Sequence, residues 1–446
     1  MSDLAKNTAP AAPGAQQEIP VVPQRYRLTF FMLVTCFVLW GLLNNMTDNL
    51  VPAFGKIFMM PAVDSSMVQF FFYGAYAVLA IPASLIIKRW SFRHGLLVGL
   101  GFYMIGALGY IPAAIMQNYD IFLWSIFILA GGLSVLETTC NPYVLALGDE
   151  ETSIRRINFA QAFNPLGSMA GLFLAKFLIL AHLNPATYDD RIAMDAQELA
   201  DVRFEELFWV CVPYVGLIAI AAVLWGYFLF HGSTMKDNSG PVEFVKNLKK
   251  LLANRKYVFG VITQFFYVGM QITVWTWMIK YMMVLSGVPE HEAVNYYIYA
   301  MFMFIGCRWI CTFLMKWIHA PRLMAVIALI GMAICLGTVY LPTTSATICL
   351  MLISACMSLM FPTIYGIALR GLGEEVKLGA AGLIMAIVGG AIITPLQGGF
   401  IDGGTLSWLA PEFSGEEAAV RTSYFVPFVC MGIVFLYAVF NWKKSN

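Results

Sequence analysis

The sequence predicts an all-α membrane protein of twelve transmembrane helices arranged as two six-helix bundles. Three observations carry that expectation. Of the 446 residues, 60% are hydrophobic and only 12% charged, and mean hydropathy is +0.73. A soluble domain is about a quarter charged, so a water-soluble fold of this size lacks the polar surface to cover so much apolar area. Apolar stretches near the roughly 20 residues needed to cross a bilayer recur along the whole chain. Lysine and arginine gather in alternate loops, as the positive-inside rule requires of a multi-spanning chain.

Residues 1–24 are rich in Ala, Pro and Gln and have no basic segment before an apolar core. They read as a disordered cytoplasmic tail rather than a signal peptide. The first bundle is expected over 25–230, with spans at 27–57, 66–87, 95–116, 120–147, 157–181 and 206–230. A basic linker follows at 231–256. The second bundle covers 257–446, with spans at 257–285, 292–315, 322–341, 345–369, 379–401 and 420–442. Several spans contain Gly or Pro, which transmembrane helices tolerate.

Charge sets the topology. One set of loops and both ends hold 20 of the 27 basic residues, among them Lys88, Arg89, Arg93, Arg155, Arg156, Lys249, Lys250, Arg370 and Lys377. The opposite loops hold only Lys56, Arg191, Arg203 and Arg421. Both termini are therefore expected in the cytoplasm, which requires an even number of spans. The acidic loop at about 182–205 reads as a solvated cap.

The halves echo each other. Asn141-Pro142 with Gly148-Asp149-Glu150 closes the fourth span, and Phe361-Pro362 with Gly373-Glu374-Glu375 closes the tenth. Two related bundles suggest a transporter with its site between them near the midplane. Soluble catalysis, nucleic-acid binding and direct coupling to ATP are excluded: there is no long basic tract, no GxxxxGK[ST] loop, and no histidine placed as a mid-membrane relay. The nine cysteines lie in apolar stretches without a CxxC pair and read as packing residues. No metal, cofactor or enzymatic site is expected.

A charge at the bilayer centre costs at least about 2.5–3.5 kcal/mol, so one kept there has a task. Asp48 ends a polar patch with Asn44 and Asn45 on one helical face. Glu137 shares a face of the fourth span with Ser134 and Asn141. A carboxylate that gains or loses a proton as its surroundings change couples proton flow to conformation. Gln161 and Asn164, three apart on one face of the fifth span, present amides that both donate and accept hydrogen bonds. Gln271 and Trp275 are four apart and suited to a cavity wall, as are Phe361 and Tyr365. Arg308 is the one clear arginine inside a span. It is expected to pair with a carboxylate or with helix carbonyls, as a gate.

Several stretches resemble the fucose permeases of the major facilitator superfamily. They are Leu39-Trp40-Gly41-Leu42-Leu43-Asn44-Asn45-Met46-Thr47-Asp48, the run Gly132 to Pro142, Asn158 to Asn164, Gln264 to Gln271, and Met357 to Thr363. They keep the family order over almost the whole chain. The resemblance implies the major facilitator fold and import of L-fucose or a close hexose by proton symport, with Asp48 and Glu137 as the proton-linked carboxylates. It places Asn45, Gln161 and Asn164 at the sugar, with Glu137 also sensing it. The family's permease has Tyr where Phe361 stands, which leaves the preferred sugar open. The same group includes sodium-coupled glucose and galactose carriers. A monomer in the bilayer of the bacterial inner membrane is expected, with a small sugar and protons, or sodium, as its partners.

Overall fold

A computed structural model describes residues 20–48, 50–60, 62–65, 67–186, 188–231 and 244–442. Twelve of its helices are long and apolar enough to cross a membrane. They are α1 (Gln24–Thr47), α2 (Met67–Arg89), α3 (Phe92–Ile115), α4 (Tyr119–Ala146), α5 (Ser153–His182) and α6 (Ala196–Phe230) in the first half. The second half has α7 (Arg255–Ser286), α8 (Glu292–Leu314), α9 (Ala320–Tyr340), α10 (Thr343–Leu369), α11 (Val376–Gly403) and α12 (Gly415–Trp442). No strand occurs among the described residues. In lipid this follows from the backbone, because a helix satisfies its own N–H and C=O groups.

The halves pack as two bundles. In the first, α3 lies against α4 and α6, α1 against α5, and α2 against α4. In the second, α9 lies against α10 and α12, α7 against α11 and α12, and α8 against α10. Large apolar side chains such as Phe31, Ile105, Val223 and Leu436 point outward and are exposed, which suits a surface solvated by acyl chains rather than water. An even number of spans puts the two ends of the helical array on one face, called here the terminal face.

The spans differ from the sequence-based limits in instructive places. The described part of the first helix reaches Asp48, and helix is described again over Leu50–Ile57. Helix α6 starts ten residues earlier than hydropathy suggests. Asp195 caps it, accepting from the N–H groups of Gln197 and Glu198 at 2.8 and 2.9 Å, so the acidic stretch joins the helix as a polar overhang. Part of that stretch is far from solvated. Arg191 and Glu206 are both buried, and Arg191 Nη1 donates to Glu206 Oε2 at 2.9 Å. The linker also contains a helix, Phe244–Ala253. Its Lys250 donates to Glu375 at 3.0 Å and holds that carboxyl below the usual carboxylate range.

Close helix crossings come from small residues. Where α1 crosses α5, a Cβ on Gly167 would collide with the Val38 carbonyl oxygen, and one on Gly171 with that of Leu42. Without a hydrophobic force between helices in lipid, such backbone approach is a main source of association. Gly167→Val should therefore part α1 from α5 and destabilise the fold by about 1–3 kcal/mol, read as a lower melting temperature of the purified protein. An unchanged melting temperature would contradict the crossing.

Candidate substrate cavity

Two prolines shape the centre. Pro165 has no N–H to offer Gln161, four residues before it, and Pro362 has none to offer Ser358. At both places the helix breaks. Span α5 divides into Ser153–Gln161 and Asn164–Leu174, and α10 into Thr343–Met357 and Met360–Leu369. The freed carbonyls need donors, since each buried polar group left unpaired costs about 1–3 kcal/mol. Arg308 of α8 supplies both: Nε donates to Ser358 O at 2.5 Å and Nη1 to Gln161 O at 2.9 Å. Its guanidinium is buried and lies 4.6 Å from the Phe304 ring centroid. Of the two pairings considered from sequence, carbonyls rather than a carboxylate are what the fold provides.

Around this break lies a cavity of about 380 Å³ between the bundles. Its wall includes Asn45, Gln161, Asn164, Gln271, Trp275, Arg308 and Phe361, seven of the nine residues expected at the site. Amides, indoles and a guanidinium thus face one space. Gln161 Nε2 donates to Asn141 Oδ1 at 2.7 Å, and Asn164 Nδ2 to Phe37 O at 3.1 Å. Trp275 Nε1 donates to Ser354 Oγ at 3.1 Å, which fixes the indole plane.

Of the two expected carboxylates, Glu137 stands apart from this wall. Glu137 does not line the cavity. It is buried in α4 one layer behind, four residues from Asn141, and both carboxyl oxygens lack a hydrogen-bond partner. Asp48 is helical, and its side chain lies outside the described residues.

Sequence reasoning missed part of the wall. Gln69 and Tyr73 of α2, and Tyr297 and Phe304 of α8, also line the cavity. The i,i+4 spacing of Gln69 and Tyr73 was the available signal. Trp40 lines it as well and donates to the Tyr76 hydroxyl at 2.6 Å.

The lining sits in the middle of the spans and in the halves away from the terminal face. Toward the terminal face the bundles touch. Asn158 Nδ2 donates to Thr363 Oγ1 at 3.1 Å between α5 and α10, and Lys377 Nζ donates to Ile87 O at 3.1 Å between α11 and α2. Arg370 and Glu150 form an ion pair at 3.5 Å. The bundles therefore close the cavity at the terminal face.

Two helical bundles about a polar central cavity, sealed at one face, define a secondary transporter of the alternating-access class. The comparisons agree. Residues 29–396 match the family model of the Major Facilitator Superfamily. The chain is 40% identical over 433 residues to the L-fucose-proton symporter of Haemophilus influenzae, covering 95% of this chain and 98% of that one. It is 29% identical to the glucose/galactose transporter of Brucella abortus, covering 94% and 96%. A solved major facilitator transporter, FucP, in the outward conformation superimposes with a TM-score of 0.84 at 30% identity, covering 93% of this chain and 99% of that one. The chain belongs to the major facilitator superfamily. It is a multi-pass membrane transporter, not an enzyme.

Hydrogen bonds to a charged group contribute about 1.5–3 kcal/mol each. Arg308→Met removes both and frees the two broken helices. Hydrogen–deuterium exchange in 153–161 and 360–369 should then speed up about tenfold or more. Exchange as slow as in the wild type would mean that other contacts hold the breaks.

Proposed function

We propose that the protein imports L-fucose, or a closely related hexose, together with protons. The observation that carries this reading is the meeting of amides and aromatic faces in one cavity, with an unpartnered carboxylate one layer behind. Amides match the alternating donors and acceptors of sugar hydroxyls. Trp275 and Phe361 offer apolar faces to the ring and to the extra methyl of a 6-deoxy sugar. The L-fucose-proton symporter of Haemophilus influenzae, at 40% identity, supports the same sugar and the same coupling ion.

In this reading Asn45, Gln161, Asn164, Gln271, Trp275 and Phe361 bind the sugar. Asp48 and Glu137 carry the protons, with Glu137 sensing the sugar through Asn141 and Gln161. Arg308 acts as a gate because it ties α8 of the second bundle to α5 of the first. The bundles at 25–230 and 257–446 rock about this site, joined by the basic linker at 231–256. The excess of Lys and Arg on the terminal face supports a cytoplasmic placement of that face, with the cavity opening outward. The protein works as a monomer in the bacterial inner membrane, without a cofactor.

The test is L-fucose uptake into liposomes holding the purified protein, with an inward proton gradient and no sodium. One pH unit is worth about 1.4 kcal/mol and supports up to about tenfold accumulation per proton. Asp48→Asn should abolish accumulation while leaving sugar exchange. Uptake of glucose or galactose driven only by sodium would overturn the reading in favour of the sodium-coupled branch. Unchanged accumulation in Asp48→Asn would remove that residue from the mechanism.

A further inference from the structure

The linker helix, Phe244–Ala253, presents three different sectors. Successive side chains on a helix lie about 100° apart. Asn247 and Leu251, four apart, are buried where the helix packs on α7 and α11. Next around the axis come Leu248, Leu252 and Val245, which are apolar and exposed. The remaining sector carries Lys249, Lys246 and Lys250, all exposed. Arg255 and Lys256 follow directly, so the stretch 244–256 holds five cations and no Asp or Glu. A helix with an apolar stripe beside a basic one is built to lie in a membrane surface.

The fold also sets the depth of this helix. The chain passes from it into α7 through Asn254 alone. The Asn254 N–H donates to Leu251 O at 3.0 Å, and its side chain accepts from the Tyr257 N–H at 3.2 Å. The helix is thereby held at the level where a span begins. Exposed tryptophans mark the same level around the terminal face: Trp90 follows α2, Trp317 closely follows α8, and Trp442 ends α12. Two of them carry a cation, with Lys316 Nζ 5.8 Å from the Trp317 ring centroid and the Arg322 guanidinium 5.9 Å from that of Trp442. Tryptophan concentrates at headgroup depth. Of the cations on the linker helix, Lys250 is committed to Glu375 at 3.0 Å. Lys249 and Arg255 make no hydrogen bond or ion pair among the described residues.

We propose that the linker helix is a binding site for anionic phospholipid. Its apolar sector enters the acyl layer of the leaflet at the terminal face, and Lys249 and Arg255, together with Lys246, hold the lipid phosphates. Charge complementarity selects the lipid class. A zwitterionic headgroup brings its own cation among the five already there, whereas an anionic headgroup brings an uncompensated negative charge. Free phosphate would meet the cations and leave Val245, Leu248 and Leu252 in water. The long stems of lysine and arginine let the charges stay at phosphate level while the helix sinks below them. Because Lys250 ties the helix to Glu375 beside α11, lipid bound here is bound to the second bundle.

The test places the full chain in nanodiscs of phosphatidylcholine alone or of phosphatidylcholine with about 30% phosphatidylglycerol. Hydrogen–deuterium exchange over 244–253 should be about tenfold or more slower in the mixed bilayer, and added salt should shrink the difference. Combining Lys249→Gln with Arg255→Gln should remove the difference. Both side chains are exposed, so exchange in α9 should stay as in the wild type. Combining Leu248→Ser with Leu252→Ser should weaken the difference as well, because the cations then lack an anchor in the acyl layer. Equal exchange over 244–253 in the two bilayers would overturn the proposal. So would slowing that survives intact in the Lys249→Gln, Arg255→Gln protein, or slowing shared equally by every span. The same slowing produced by inorganic phosphate added to phosphatidylcholine nanodiscs would make this a site for a free anion and overturn lipid binding.

Discussion

The centre of this protein hangs on one guanidinium. Two spans, one from each bundle, are interrupted at the midplane because Pro165 and Pro362 cannot donate to the carbonyls four residues earlier. A membrane interior has no water to satisfy those carbonyls. Arg308 reaches both at 2.5 and 2.9 Å. The breaks let Gln161, Asn164 and Phe361 turn their side chains into the cavity, which a continuous pair of helices would present at fixed 3.6-residue spacing. One side chain therefore permits the irregular backbone that builds the wall, and also bridges the bundles.

The same economy recurs where arginines meet helix ends. Arg156 Nε donates to Val144 O at 2.7 Å, at the end of α4, and Nη1 reaches Val21 O at 3.1 Å. Arg421 donates to Leu341 O at 2.9 Å, just past α9, and to Glu417 at 2.9 Å. Both are buried. The last carbonyls of a helix have no intrahelical partner and carry partial negative charge, so a cation there satisfies two needs at once. Charges that serve topology as a count along the sequence serve as caps in the fold.

Separation of tasks marks the site. Amides and aromatics face the cavity, while Glu137 sits behind it without a cation. A carboxylate in the wall itself would exchange freely with solvent whichever way the cavity opened. Held one layer back, it lies one helical turn from Asn141, which accepts from Gln161 of the wall. Asn158–Thr363, Lys377–Ile87 and Arg370–Glu150 are polar contacts, strong enough to close a face and weak enough to exchange for water. A reversible seal requires that balance.

Sequence alone determined the class, the spans and the pairing of bundles. Bilayer thickness sets helix length, and lipid forbids exposed backbone, so hydropathy reads directly as architecture. It also picked out several polar residues of the cavity wall, because an amide or a charge in an apolar helix is costly and stands out. It could not place Glu137 behind the wall, since residues on one helical face can point at solvent or at a neighbouring helix. It could not find Arg308's partners either. The carbonyls of Gln161 and Ser358 lie 197 residues apart in sequence, and backbone acceptors carry no residue signature. Only the tertiary structure, by bringing two proline breaks to one arginine, decided where the site is and which face is sealed.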